Sequence, residues 1–152
     1  MKKVLLLLLF ISTLSCKKTE VEREIIKDFS ENRWQATDIK KIEFSVDKDI
    51  AEADIKLLFS HIYEPQYEMV SVSIMFENPK GEMESIYNNF RVTDANGKNL
   101  SECAGDICDF YTIIKENIKL EKGVYKIAVE NKCAGSYLPN VLALGVVVES
   151  KN

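Results

Sequence analysis

The feature that most constrains the fold is a two-residue alternation of apolar and polar side chains in several short segments. The clearest case is residues 69–77, where Val70, Val72, Ile74 and Phe76 stand at every second position. Successive side chains of a β-strand point to opposite faces of a sheet, so this pattern predicts a half-buried strand. It is the strongest strand signal in the chain, and we expect that strand to be central.

Similar segments recur along the chain and are separated by turn residues. Their spacing predicts about eight short strands and no long helix, which favours an all-β fold. We predict an antiparallel β-sandwich with Greek-key or jelly-roll connections. Residues 141–148 are almost continuously apolar, as expected for a closing strand that is buried on both faces. The other predicted strands cover residues 40–46, 54–59, 83–93, 108–115 and 124–130.

The first sixteen residues predict export from the cytoplasm. Lys2 and Lys3 precede the apolar run 4–11, which is far shorter than the roughly 20 residues that span a bilayer. Small residues and then Cys16 follow this run. The arrangement resembles the lipobox of bacterial lipoproteins, in which a signal peptidase cuts before a cysteine that carries acyl chains. An ordinary cleaved signal peptide with a chance cysteine is the alternative.

The predicted cleavage divides the chain into three parts. Residues 1–15 are a lipoprotein signal peptide, residues 16–33 a charged, lipidated tether that runs into an extended segment, and residues 34–152 the β-sandwich domain. A short helix over residues 21–29 is the alternative for the tether, because its apolar residues recur at every fourth position. Trp34 is the single tryptophan of the chain. We predict that it closes one end of the core.

The charge balance bears on the partners of the exported domain. Without residues 1–15, the chain carries 18 basic and 24 acidic side chains, a balance of −6. An acidic domain argues against a nucleic-acid partner, since phosphate binding depends on clustered lysines and arginines. No second apolar segment approaches membrane length, so we predict attachment through the acyl chains of Cys16 alone.

The residues after Cys16 suggest which membrane holds the protein. The next residue is not an aspartate, which favours the outer membrane over retention in the inner membrane. The acidic residues of the tether do not match a signal for surface export. We therefore predict a lipid-anchored protein of the outer membrane that faces the periplasm.

Three cysteines, Cys103, Cys108 and Cys133, remain in the exported domain. Thiols outside the cytoplasm tend to form disulfides. If the strands at 108–115 and 124–130 are antiparallel, the loops before the first and after the second meet at one end of the sandwich. That arrangement favours a disulfide between Cys133 and either Cys103 or Cys108. A local Cys103–Cys108 bond is one alternative and no disulfide is another, and either bond leaves one thiol over.

Residues that could carry chemistry give only weak signals. His61 is the single histidine, and nothing in the sequence places a nucleophile and an acid beside it. The cysteines lack the paired spacing of a zinc site. The acidic segments 47–54 and 94–97 lack the glycine that an EF-hand calcium loop has at its sixth position, and we interpret them as turns. We predict no catalytic, cofactor-binding or metal-binding residues.

Four tyrosines, Tyr63, Tyr67, Tyr111 and Tyr137, lie in or near predicted loops. Together they could form a platform for a sugar, and the alternative is that they pack at strand ends. Three tyrosines on one exposed face would favour a glycan ligand. An exposed apolar patch without a groove would favour a protein partner.

Several segments occur in an order that is similar to that of one lipoprotein family. A lipidated cysteine and a charged tether come first, a tryptophan follows an asparagine, and a His and Tyr-Pro-Tyr-like passage enters the strongest strand. A turn and a closing hairpin follow. The segments concerned are residues 28–34, 42–44, 61–67, 70–72, 94–98, 123–127 and 138–146. In this order the chain resembles the gliding-motility lipoprotein GldH family of Bacteroidetes.

The resemblance implies an outer-membrane lipoprotein that is needed for gliding and is linked to the type IX secretion machinery. It implies no catalytic residues. We therefore predict a non-enzymatic accessory component that acts through protein contacts and carries no cofactor. A carbohydrate-binding or surface-glycan lipoprotein is the alternative.

Overall fold

The computed structural model describes residues 18–151, so the predicted signal peptide and the acylated Cys16 lie outside the described residues. The regular structure of the described part consists of eleven strands and one single-turn 3-10 segment, Ser30–Asn32. The strands are β1 (Lys18–Ile26), β2 (Trp34–Gln35), β3 (Lys40–Val46), β4 (Ile50–Ile62), β5 (Met69–Glu77), β6 (Met83–Arg91), β7 (Glu102–Ala104), β8 (Ile107–Leu120), β9 (Gly123–Asn131), β10 (Tyr137–Leu138) and β11 (Val141–Lys151).

The strands form two large sheets and one small one. The first sheet has the order β1-β11-β4-β8-β7, the second sheet has the order β3-β9-β5-β6, and β2 pairs with β10. Every pairing is antiparallel, so the prediction of an all-β antiparallel fold is confirmed. Within residues 18–151 there are eleven strands rather than about eight. Strands β2, β7 and β10 have only two or three residues, which is too short for an alternation to be visible in the sequence.

Buried residues of both large sheets belong to one hydrophobic core. The first sheet contributes Ile55, Leu57 and Val146, and the second contributes Val72 and Ile74. The core positions of β5 alternate with exposed or half-buried residues, as its period predicts. Burial of each such side chain stabilises the fold by about 2 kcal/mol.

Trp34 closes one end of this core, as predicted. Its side chain is fully buried, and its ring meets Phe29 edge-on with 6.1 Å between the ring centres. The indole Nε1 donates a hydrogen bond to the Asp38 carbonyl at 2.8 Å. The polar atom of this large side chain is therefore satisfied inside the protein.

Half of the segment predicted as a tether belongs to the first sheet. Residues 18–26 form β1, which pairs with β11 from Lys18 opposite Lys151 to Ile26 opposite Leu144. The alternative prediction of a helix over residues 21–29 is wrong. Most side chains of β1 are exposed, so backbone hydrogen bonds to β11, rather than burial, hold this strand. The spacing of apolar residues therefore does not predict strand β1.

The antiparallel register gives the domain two unlike poles. The turn pole contains the beginning of β1, the end of β11 and the short connections 47–49, 78–82 and 121–122. The loop pole contains the longer segments 27–39, 63–68, 92–106 and 132–140. At about 3.3 Å per residue, the 13 residues of β4 place the two poles about 40 Å apart.

Candidate functional site

The loop pole is the first candidate site, because its loops join into one surface. The Tyr63 N–H donates to the Asp106 carbonyl at 2.8 Å, and the Val92 N–H donates to the Glu68 carbonyl at 2.9 Å. The Ile62 N–H donates to the carbonyl of Asn140 at 3.1 Å. Connections that are far apart in the sequence are thus fixed relative to one another by backbone contacts.

The disulfide of the loop pole joins Cys103 to Cys108. The predicted pairing of Cys133 with either residue is wrong, and the local alternative is the bond that forms. The reason is the hairpin of β7 and β8, whose register sets Cys103 directly opposite Cys108 with 4.0 Å between the Cα atoms. The Asn99 side-chain amide lies 3.4 Å and 3.5 Å from the two sulfurs. The bond therefore closes the end of this hairpin.

Cys133 is a free, half-buried thiol that faces the second sheet. The Ser71 N–H of β5 donates to its Sγ atom at 3.3 Å. The backbone N–H of Cys133 donates to Asn131 Oδ1 at 2.9 Å. The thiol is therefore held against β5 instead of against the disulfide hairpin.

His61 lies buried at the end of β4 and is bonded to a serine that is 40 residues away. Its Nδ1 is 2.8 Å from the Ile62 carbonyl, which can only accept, so Nδ1 carries the proton. Its Nε2 then accepts from the Ser101 hydroxyl at 2.7 Å. Burial lowers the pKa of His61, although the Ile62 carbonyl and the charge of Asp109 oppose this shift. The imidazole is therefore neutral near pH 7.

This serine–histidine pair lacks the other parts of a hydrolytic site. The nearby carboxylate of Asp109 accepts from the Ser60 hydroxyl, while a backbone carbonyl orients His61. The Ser101 N–H, a candidate oxyanion donor, donates to Asn99 Oδ1 at 2.7 Å. The hydrogen bond between Ser101 and His61 instead joins the 92–106 loop to β4, which is a structural use of the pair.

The four candidate tyrosines do not form one platform. Tyr67 packs edge-on against the core residue Phe59, and burial raises the pKa of its hydroxyl. Tyr111 lies on β8 and accepts from Arg23 at 3.3 Å, while Tyr137 lies 4.8 Å below the Arg33 guanidinium. No ring contact within residues 18–151 joins two of the four tyrosines.

The fourth, Tyr63, is half exposed and lines a cavity of about 330 Å³ at the loop pole. Its other polar walls are Glu64, Lys98 and Asn99. Thr93 also lines it and is nine-tenths buried, and its Oγ1 has no hydrogen-bond partner among the described residues. The cavity offers one aromatic face together with polar donors and acceptors.

Of the two acidic segments that we interpreted as turns, 94–97 is a turn, whereas 47–54 is a turn only at residues 47–49 and continues as the beginning of β4. Residues 47–49 connect β3 to β4, and Asp94 opens the other turn. Asp94 Oδ1 accepts from the N–H groups of Lys98 and Asn96 at 2.9 Å and 2.8 Å, which lowers the pKa of its carboxyl. In the part of the chain that the structure describes, no group of His, Cys, Asp and Glu side chains is arranged to hold a metal ion.

A second candidate site is the methionine face, which we define as Met69, Met75, Met83 and Tyr87 on the outer side of the second sheet. Met75 lies opposite Ser85, and Met83 and Tyr87 flank Ser85 on the same side of β6. The side chains of Met75, Met83 and Tyr87 are 41%, 69% and 64% exposed. Flexible thioethers on an exposed surface suit contact with another protein.

Sequence reasoning missed the methionine face as a site, although one signal was present. The alternation in β5 already placed Met69 and Met75 opposite the core residues, among serines. The third methionine and Tyr87 join them only through the register of β6 against β5. That register depends on the turn at residues 78–82, whose geometry the sequence pattern does not give.

Comparison with protein families gives one match, to a family model described as GldH lipoprotein, over residues 22–148. This range includes both candidate sites. A comparison with curated proteins finds no match. Between residues 18 and 151, no helix combines the length and the apolar character that crossing a membrane requires.

Several solved structures share a distant likeness with the chain. One is the complex of an Aeromonas sobria serine protease with its chaperone, at 9% identity and a TM-score of 0.43, covering 90% of this chain and 27% of that one. Another is dimeric latent PorU from Porphyromonas gingivalis, at 11% identity and a TM-score of 0.38, covering 88% of this chain and 13% of that one. This chain therefore spans about a quarter or less of either structure, and such scores support no functional conclusion.

Proposed function

The chain belongs to the GldH lipoprotein family, and on that premise we propose that it is a non-catalytic accessory component of the gliding-motility and type IX secretion machinery. It acts through contacts with protein partners. The family description supports a gliding-related lipoprotein, and the partner contacts and the absence of catalysis are our extension. The Ser101–His61 pair then serves to fix the 92–106 loop.

The methionine face is the observation that carries this proposal. Met75, Met83 and Tyr87 form an exposed apolar surface on the outer side of the second sheet, where a folded domain gains nothing from keeping them in water. Strand β6 is also an edge of the second sheet, so its outer backbone groups are open to a partner. A protein partner that covers this face buries the apolar side chains.

The cellular placement follows from the sequence and belongs to the same proposal. Cys16 carries the acyl chains, and the domain is anchored in the outer membrane and faces the periplasm. We also propose that the two large sheets, which share one core, constitute the predicted β-sandwich.

The test is a crosslinked pull-down of the acylated protein from its own membranes, read by mass spectrometry. We expect wild type to recover motility or secretion components, and Met75→Glu with Tyr87→Glu to lose them. Ile113→Glu is the matched control, because Ile113 is 42% exposed on β8 of the first sheet. The proposal fails if wild type recovers no such component, or if the control loses them equally.

The cavity beside Tyr63 favours a second candidate function, a surface-glycan lipoprotein. An exposed ring next to Lys98, Asn99 and Glu64 offers both stacking and hydrogen bonds to a sugar. In that case the protein is retained on a polysaccharide column and Tyr63→Ala abolishes retention. Tyr87→Ala, which changes an exposed tyrosine outside the cavity, is the control and leaves retention unchanged.

A further inference from the structure

The turn pole contains a buried carboxylate, Asp54, which no sequence pattern singled out as structural. Its side chain is fully buried near the beginning of β4. Lys18 Nζ lies 2.7 Å from Oδ2, Lys151 Nζ lies 2.7 Å from Oδ1, and the Asn117 N–H donates to Oδ1 at 3.0 Å. We call this arrangement the Asp54 clamp. It joins the beginning of β1, the end of β11 and the last, turn-pole part of β8 to one group on β4.

The clamp is charged throughout the ordinary pH range. Burial alone would raise the pKa of Asp54, but the hydrogen bonds from Lys151, Lys18 and Asn117 outweigh it and hold the pKa well below its usual range. The same contact raises the pKa of Lys18. A carboxylate between two ammonium groups thus fixes the first described residue of the chain.

Strand pairing fixes the same residue a second time. Lys18 lies opposite Lys151 in the ladder between β1 and β11, and pairing continues from there to Ile26. The side chain of Lys18 is held by the clamp and its backbone by the sheet. Within the described residues, the domain therefore begins at Lys18 itself, without a flexible segment before its first strand.

The chain between Lys18 and the predicted acylation site is very short. Only Lys17 separates Cys16 from Lys18, so the two Cα atoms lie at most about 7 Å apart. The domain is about 40 Å long from pole to pole. An anchor this short, attached at one end of a long domain, restricts how the domain can stand on a membrane.

We propose that the turn pole lies on the phospholipid headgroups of the bilayer that holds acylated Cys16, and that the loop pole is held about 40 Å away from them. This inference rests on the lipid anchor of the proposed function. The methionine face then stands along the membrane normal, and the disulfide hairpin, which belongs to the loop pole, is held away from the lipid.

The side chains of the turn pole suit such a contact. Lys48 and Lys122 are exposed, and no ion pair within residues 18–151 engages either of them. Lys119 has only a 4.0 Å contact with Asp49. Asp47, Asp49 and Glu116 are exposed there too, so the pole is mixed in charge. Ammonium groups attract headgroup phosphates over roughly one Debye length, about 10 Å, which includes the turn pole and excludes the loop pole.

The test measures the distance of each pole from the lipid in the acylated full chain, reconstituted in phospholipid vesicles. A nitroxide is attached to Lys48→Cys at the turn pole or to Asn96→Cys at the loop pole. Both carry Cys133→Ser, which removes the free thiol. Vesicles contain a nickel-chelating lipid, whose paramagnetic ion relaxes only nearby labels. We expect several-fold stronger relaxation at position 48 than at position 96.

A second variant tests whether the short anchor causes this orientation. A flexible Gly-Ser linker of about ten residues, inserted between Lys17 and Lys18, reaches about 17 Å on average. We expect it to reduce the difference between the two positions while the protein stays on the vesicles. A linker variant that keeps the full difference contradicts the role of the anchor and the clamp.

The outcomes separate this inference from the proposed function. A protein that is acylated and sediments with vesicles, but shows equal or reversed relaxation, overturns the orientation and leaves the accessory role intact. A protein that does not sediment overturns the lipid anchor and the orientation together. The pull-down of wild type and of the Met75→Glu, Tyr87→Glu variant tests the partner contact independently of the orientation.

Discussion

The two poles of the domain are stabilised by different means. At the turn pole, short connections pack closely: a Cβ added to Gly123 would come within 2.6 Å of the Pro79 side chain. The ion pairs of the Asp54 clamp add to the stability of this pole. At the loop pole, long connections are held by one buried tryptophan, one disulfide and the His61–Ser101 bond. The same two sheets therefore end in closely packed short turns at one pole and in a surface built from several long loops at the other. Each stabilising interaction can be removed by its own substitution.

The largest expected effect is at the loop pole. Trp34→Ala removes a fully buried indole, and we expect it to lower the free energy of unfolding by about 4 kcal/mol. Trp34→Phe keeps most of the volume and loses the bond to the Asp38 carbonyl, so its cost is about 1–2 kcal/mol. Chemical denaturation of the domain without its signal peptide measures both. A loss below about 1 kcal/mol for Trp34→Ala would show that the core is not closed by this residue.

The next effect is at the turn pole. Asp54→Asn leaves Lys151 largely buried without its counter-charge, and we expect a loss of about 3 kcal/mol. Asp49→Asn changes an exposed carboxylate at the same pole and should cost no more than about 0.5 kcal/mol. The same denaturation experiment compares the two variants. Equal losses would contradict a special role for the clamp.

The clamp also predicts an acid limit. The pKa of Asp54 is lower in the folded protein than in the unfolded chain, where it is about 3.9. The stabilisation by Asp54 is therefore complete above that value and is lost as the pH falls below it. Denaturation curves between pH 5 and pH 2 should show wild type losing stability more steeply than Asp54→Asn, and parallel curves would argue against the clamp.

The disulfide should matter less than the clamp. Replacing both Cys103 and Cys108 by serine frees a short hairpin, and the loop-closure entropy predicts a loss of about 2 kcal/mol. Cys133→Ser removes a thiol outside this bond and should cost less than about 1 kcal/mol. Mass spectrometry after thiol labelling checks the pairing, and labelling of Cys103 in place of Cys133 would contradict it.

The smallest effect is a pH dependence at the loop pole. Burial holds the pKa of His61 below the value of about 6.5 that it has in an unfolded chain. The unfolded state therefore binds more protons below pH 6.5, and stability is complete above that pH and declines beneath it. Denaturation between pH 7.5 and pH 5 should show this decline in wild type and less of it in His61→Gln. The two poles thus respond to acid in different pH ranges.

The sequence predicted those parts of the fold in which side-chain burial follows the strand period. Strands β3 and β5 were predicted because their core residues alternate with residues that are exposed or half-buried. Strand β4 has 13 residues, and its second half is buried on both faces, so alternation revealed only its residues 54–59. Strand β1 depends on backbone pairing, and its exposed side chains looked like a tether.

The candidate sites were harder to predict, because they depend on register and loop path. His61 and Ser101 are 40 residues apart, and only the folded loop brings them together. The sequence left three disulfide pairings open, because no pattern showed that residues 102–104 return onto β8. Tyr63 and Tyr67 are close in sequence, yet one ring is exposed and the other packs on the core.

The composition of the methionine face has a chemical consequence. Peroxide converts a methionine thioether to a sulfoxide, which is polar, and exposed sulfurs react readily. Three such side chains lie on one outer surface of this protein, while the core relies on valine, isoleucine, leucine and phenylalanine, which do not react in this way. Oxidative stress would therefore weaken the partner contact that we propose for this face and leave the fold intact, and methionine sulfoxide reductase would restore it.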